Sequence, residues 1–288
     1  MMSCSFLNSL ATDNKFNMLD DINAQKTPYT VLPIGNFIPM PKTASEIFPN
    51  LIIDPMLLKP NKFARETVQE FFDNSAFVGD SVMHGMTLYS KRTKNIQSGA
   101  TFLTMSSFSA RHALSDVTET SYHPLYNDVK MKVEDSLALD GANKVFVSLG
   151  LNDVLATPKT YFENYIEFLN KIKEKNPEID IFVVSATYPI EQPLKIDAQT
   201  AISYRDKLQD LNVRLKEHCA QNGYYYIDVI SHLVSENGFL DDKYTSDSYV
   251  HLTNKAYTMW TQIFENYANE LITYGKITDS FIAYTPEE

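Results

Sequence analysis

The sequence predicts a three-layer α/β/α domain built on a five-stranded parallel sheet, and three observations lead there. From Phe63 onward, short continuous apolar runs alternate with longer stretches whose apolar residues recur every 3.6 positions, the pattern of repeated β-α units. The short runs are apolar without alternation, as strands are when helices cover both faces of a sheet. In a chain of 288 residues, 44% hydrophobic and 21% charged residues supply a sizeable core.

Taken in chain order, residues 1–60 read as an irregular arm. They hold Pro28, Pro33, Pro39, Pro41, Pro49, Pro55 and Pro60, seven of the 13 prolines, and prolines at that density interrupt helices and central strands. The arm also carries Val31, Leu32, Phe37, Leu51, Ile52 and Ile53, too apolar for a disordered linker, so it is expected to pack on the body or on a partner. Residues 61–288 form the main domain. Its five predicted strands are 76–79, 100–105, 144–150, 179–186 and 224–229. The helix after the third strand places Tyr161, Tyr165, Phe168, Leu169 and Ile172 on one stripe, and the next does the same with Tyr204, Leu208, Leu211, Leu215 and Cys219. Thr253 reads as the N-cap of a last helix in which Ala256, Met259, Trp260, Ile263, Phe264, Tyr267 and Leu271 form the apolar face.

Charge narrows the partners. A net charge of -11, from 36 acidic against 25 basic residues, repels phosphate backbones and anionic bilayers and argues against nucleic acid. Cys4 and Cys219 stand far apart with no CxxC, which predicts neither a disulfide framework nor a structural zinc site. No run of 18 apolar residues exists, and the first residues lack a basic n-region followed by an apolar core, so the chain reads as soluble without an export signal. Its compartment and oligomeric state stay open.

In parallel α/β sheets, sites assemble beyond the carboxyl ends of the strands. The first strand ends in Gly79, Asp80 and Ser81, and the helical residues that follow put Ser81 in a strand-to-helix turn, its N–H among the unpaired donors of a helix N-terminus. That suits a nucleophile. The third strand ends in Gly150, Leu151, Asn152 and Asp153, projecting an amide able to donate hydrogen bonds. Asp247 and His251 then supply a carboxylate and an imidazole just before the last helix. A serine needs a base to take its proton, and a histidine needs a carboxylate to hold its tautomer.

These blocks, GDS at 79–81, GLND at 150–153 and HLT at 251–253, resemble in their order the SGNH hydrolase family, also called the GDSL esterases and lipases. The resemblance spans roughly residues 71–267. It implies a flavodoxin-like sheet, a serine nucleophile, no metal or nucleotide cofactor, and an oxyanion hole made of the Ser81 N–H, a backbone N–H of a second block and the Asn152 side chain. Family members hydrolyse or transfer acyl groups, many of them acetyl esters on carbohydrates, so an acylated small molecule or carbohydrate is the expected substrate. Two departures stand out. The family's carboxylate usually stands three residues before the histidine, where this chain has Ser248; Asp247 stands four before, and a one-residue bulge would bring it to His251. The second block offers Ser106, Ser107, Phe108 and Ser109 in place of a glycine, and Ser107 is the favoured donor.

Other polar residues read as structural: Asp80 as a carboxylate near a positive helix end, Asp153 as a turn or capping residue, Asn212 and Asp228 as scaffold, His84 as a partly exposed helix histidine, and His112, His123, His218 and His232 as surface or hydrogen-bonded groups. The rival readings are a non-catalytic glycan-binding module of the same fold, or a lipase or thioesterase. An acyl carrier conflicts with the apolar strand before Ser81, and a phosphotransferase lacks a DxDx(T/V) motif.

Overall fold

The structure, a computed structural model, describes residues 65–154 and 156–274, so the arm read at residues 1–60 lies outside the described residues. Helix α1 (Arg65–Asp73) leads into β1 (Ser75–Gly79) and α2 (Ser81–Thr93). Next come β2 (Thr101–Thr104), the short α3 (Ala110–Leu114) and a small hairpin of β3 (Leu125–Tyr126) and β4 (Val129–Lys130). The chain continues through α4 (Val133–Asp140), β5 (Lys144–Ser148), α5 (Pro158–Lys175) and β6 (Asp180–Val184). It closes with α6 (Ala198–Asn222), β7 (Tyr225–Ile227) and α7 (Asn254–Tyr274).

The sheet has the order β2-β1-β5-β6-β7 with every pair parallel. All five expected strands are present. β2, β5, β6 and β7 are shorter than their apolar runs; after the last three, Leu149, Ala186 and Val229 are buried in the turns that leave the sheet, not in its ladder. The hairpin β3-β4 was not foreseen, since two-residue strands are too short to show a period.

Both sheet faces are buried, which is why the strands read as unbroken apolar runs. One face carries a ladder of rings, one from each strand: Phe102, Phe77, Phe146, Phe182 and Tyr225 stack in register at centroid spacings of 5.2, 4.6, 4.5 and 4.5 Å. Phe264 of α7 meets Phe77 and Phe146 edge-on, at 5.5 and 5.6 Å, so offset stacking within the sheet is closed by T-shaped contacts from the helix layer. The opposite face buries Val78, Val145, Val147 and Val183 beneath Tyr165, Phe168 and Leu169 of α5 and Leu211 and Leu215 of α6.

The chain leaves β1 for the neighbouring β2 and returns on the other side of β1 as β5. The carboxyl ends of β1 and β5 therefore flank the point where strand order reverses and a crevice opens. Two glycines permit this junction. A Cβ on Gly79 would lie 2.7 Å from the Ser148 carbonyl and 2.5 Å from Met83 Cβ, and Gly150 takes a φ of +137°, which side chains disfavour. Thr253 Oγ accepts from the Ala256 N–H at 3.4 Å at the start of α7, the place read for its cap.

Candidate active site

Ser81 is the first residue of α2, directly beyond β1. The turn is held by Asp80, whose Oδ1 accepts from the Val82 N–H at 2.9 Å while its carbonyl accepts from the His84 N–H at 2.8 Å. Asp80 is buried. Burial pushes its carboxyl up to about 7, with Asp153 adding to the rise and the Val82 N–H opposing it.

The histidine segment lies between β7 and α7. Ser246 donates its N–H to the His251 carbonyl at 2.7 Å and Thr245 bridges to Leu252, so the chain doubles back and brings Asp247 beside His251. Ser248 takes a φ of +53°, in the left-handed region, and this one residue absorbs the extra position between carboxylate and imidazole. With it turned, the N–H groups of Tyr249, Val250 and His251 converge on Asp247 Oδ1 at 3.1, 3.0 and 3.1 Å, and Thr245 Oγ donates to the same oxygen at 3.3 Å. The other oxygen, Oδ2, lies 2.8 Å from His251 Nδ1 and 2.7 Å from Lys195 Nζ. Burial alone would raise the Asp247 carboxyl, but the hydrogen bonds from Lys195 and His251 outweigh it and hold the group well below the ordinary aspartate value.

His251 Nε2 lies 3.0 Å from Ser81 Oγ. An ionised carboxylate only accepts, so the Asp247 contact puts the imidazole proton on Nδ1 and turns the Nε2 lone pair toward the Ser81 hydroxyl. The three residues thus form one unbroken chain of hydrogen bonds.

Asn152 stands beyond β5. Its Nδ2 donates to the Phe108 carbonyl at 3.0 Å and to Asp80 Oδ2 at 3.4 Å, joining the exits of β1, β2 and β5. Ser107 sits in the β2 exit, exposed, with a φ of +62°. That is the conformation a glycine adopts freely, and it shows why a glycine would be at home there. The loop is braced by His112 of α3. Arg111 lies 3.3 Å from His112 Nε2 and a guanidinium can only donate, so Nδ1 bears the proton and donates to the Ser107 carbonyl at 3.0 Å. Asp153 is buried and accepts from the Ala110 and Arg111 N–H groups at 3.3 and 3.5 Å, capping α3; burial pushes its carboxyl up to about 7.

The remaining singled-out residues lie as scaffold. Asn212 grips both backbone groups of Ala186 at the end of β6, at 2.8 and 2.9 Å. His84 Nδ1 meets Thr104 Oγ at 3.2 Å, His123 is buried against Ser121, and Trp260 is wholly buried. Two contributors escaped the sequence reading. Lys195 is 52 positions from Asp247 and belongs to no motif. His112 was set aside as structural, and its grip on the Ser107 loop depends on where α3 folds back.

Residues 77–259 match the GDSL-like Lipase/Acylhydrolase family, and the chain belongs to it. It is an ester hydrolase. Solved structures agree on the fold. A candidate acylhydrolase from Bacteroides fragilis superposes with a TM-score of 0.52 at 18% identity, over 69% of this chain and 87% of that one. A GDSL-like lipase from Bacteroides thetaiotaomicron gives a TM-score of 0.50 at 16% identity, over 68% and 87%. No curated protein matches the chain. Among the described residues no helix is long and apolar enough to cross a membrane.

Proposed function

We propose that this ester hydrolase removes small acyl groups, foremost O-acetyl esters on carbohydrate, by an acyl-enzyme mechanism run by Ser81, His251 and Asp247. The observation that carries the reading is the relay itself: Ser81 Oγ 3.0 Å from His251 Nε2, and His251 Nδ1 2.8 Å from Asp247 Oδ2. As Ser81 Oγ attacks the ester carbonyl, His251 Nε2 takes its proton, and Asp247 stabilises the imidazolium that results. The negative charge that develops on the former carbonyl oxygen is met by the Ser81 N–H, the Ser107 N–H and Asn152 Nδ2. The Asn152 contact to Asp80 is its longer one at 3.4 Å, and that proton is the one to turn to the oxyanion. Collapse expels the alcohol, which takes the proton from His251. Water, activated by the same base, then releases the acid; a bound hydroxyl in its place would make the reaction a transfer.

One observation favours small, sugar-borne esters. Tyr122, half exposed and stacked on His112 at 4.6 Å, and Tyr249 on the histidine segment offer aromatic faces against which sugar rings pack. The test is hydrolysis of p-nitrophenyl acetate, butyrate and octanoate by the wild type, Ser81→Ala and His251→Ala. Acetate is expected to be the best substrate, with turnover falling to background in both variants. A preference for octanoate would make the protein a lipase, and turnover surviving in Ser81→Ala would dismiss the mechanism.

A further inference from the structure

The two oxygens of Asp247 serve different partners. Oδ1 takes four donors from its own segment, so the carboxylate keeps its orientation whatever happens at Oδ2. Oδ2 is shared between the imidazole and an ammonium, His251 Nδ1 at 2.8 Å and Lys195 Nζ at 2.7 Å. Lys195 comes from the loop between β6 and α6, and that loop is stitched to the histidine segment: Ile190 donates its N–H to the Tyr249 carbonyl at 3.0 Å and Leu194 to the Ser248 carbonyl at 3.2 Å. The lysine stem is therefore delivered beside Asp247 by its own backbone. Its ammonium lies 5.7 Å from the centre of the Tyr249 ring.

We propose that Lys195 is a positioning residue of the esterase site, whose charge on Asp247 Oδ2 withholds part of the carboxylate's pull from the imidazolium that forms as His251 takes the Ser81 proton. This rests on the reading of Ser81, His251 and Asp247 given above. A cation beside the carboxylate disfavours a second cation on the imidazole, so removing the Lys195 charge is expected to move the acid limb of the Ser81 reaction to higher pH. The groups acting on Asp247 are Lys195 from the loop, His251 and Tyr249 from its own segment, with Tyr204 of α6 acting on Tyr249 in turn. Ser81, from α2, faces His251 as an uncharged hydroxyl. The Lys195 side chain is 54% exposed against 20% for Asp247, so replacing it disturbs charge and not packing.

The experiment follows the rate at which a fluorophosphonate labels Ser81 between pH 5 and 9, in the full chain, for the wild type, Lys195→Met, Lys195→Arg and Ser81→Ala. This readout needs nucleophile and base but no knowledge of the natural ester. At low ionic strength the acid limb of Lys195→Met is expected about half a pH unit above that of the wild type, the range of an exposed ion pair. Lys195→Arg is expected to follow the wild type, and the gap to close in 1 M NaCl, where screening acts over about 3 Å. A Lys195→Met limb that coincides with the wild type or moves to lower pH overturns the proposal, as does a Lys195→Arg limb that moves with Lys195→Met. Labelling that persists in Ser81→Ala, or is absent from the wild type, overturns the site reading itself, and so the two failures are told apart.

Discussion

Ser107 and Ser248 adopt φ values of +62° and +53°, a region that costs a residue with a Cβ on the order of 1 kcal/mol or more. Both stand in the segments that build the site, where the strain shapes the β2 exit and brings Asp247 within 2.8 Å of His251. Asn152 works at the same scale. One of its bonds, to the Phe108 carbonyl at 3.0 Å, fixes the amide plane, and the longer one, to Asp80 Oδ2 at 3.4 Å, holds the proton proposed to turn to the oxyanion. Asn152→Ala is expected to keep its far-ultraviolet circular dichroism and to lose about 10²–10³ in kcat, the usual effect of one oxyanion donor. Near-normal kcat in that variant would remove Asn152 from the hole.

Elements matter here through their exits, and a ring ladder keeps those exits in register. Phe146, 1% exposed, stacks on Phe77 and Phe182 and receives Phe264 edge-on, so nothing can collapse into the space it fills. Phe146→Ala is expected to cost about 3–5 kcal/mol in urea-monitored unfolding. Leu125→Ala, on the half-exposed β3, should stay within about 0.5 kcal/mol. A smaller Phe146 effect would mean that the face repacks. The five sheet strands and the three long helices α5, α6 and α7 were legible because period and burial leave a direct trace, as in the Tyr161 to Ile172 stripe. The ladder was not, because the pairing of Phe77 with Phe102 and Phe146 depends on strand order and register, which pair residues far apart in the chain.

At the scale of the whole molecule, two buried carboxyls near the site link stability to pH. Burial raises Asp80 and Asp153 from 3.8 to about 7, so the fold penalises their charged forms. That penalty is complete above about pH 7 and fades as pH falls from there toward 3.8, where the unfolded chain is also protonated. Asp153→Asn removes the charge and keeps one of the two oxygens that accept from the Ala110 and Arg111 N–H groups. Its gain in Tm over the wild type is expected to be larger at pH 8.5 than at pH 5, and a difference that does not vary with pH would refute the buried-charge account.

Chemistry and its order along the chain were determined by the sequence alone: a serine in a turn after an apolar strand, an amide after the third strand, and a carboxylate and imidazole before the last helix. These are local patterns, set by neighbours a few positions apart. Only the tertiary structure decided how Asp247 meets His251 four positions on, because that turns on the left-handed Ser248. It alone also brought Lys195 to Asp247 Oδ2 and His112 to the Ser107 carbonyl. Those contacts depend on how loops from separate strand ends dock on one another, and docking is governed by packing and backbone hydrogen bonds that leave no periodic trace in the chain.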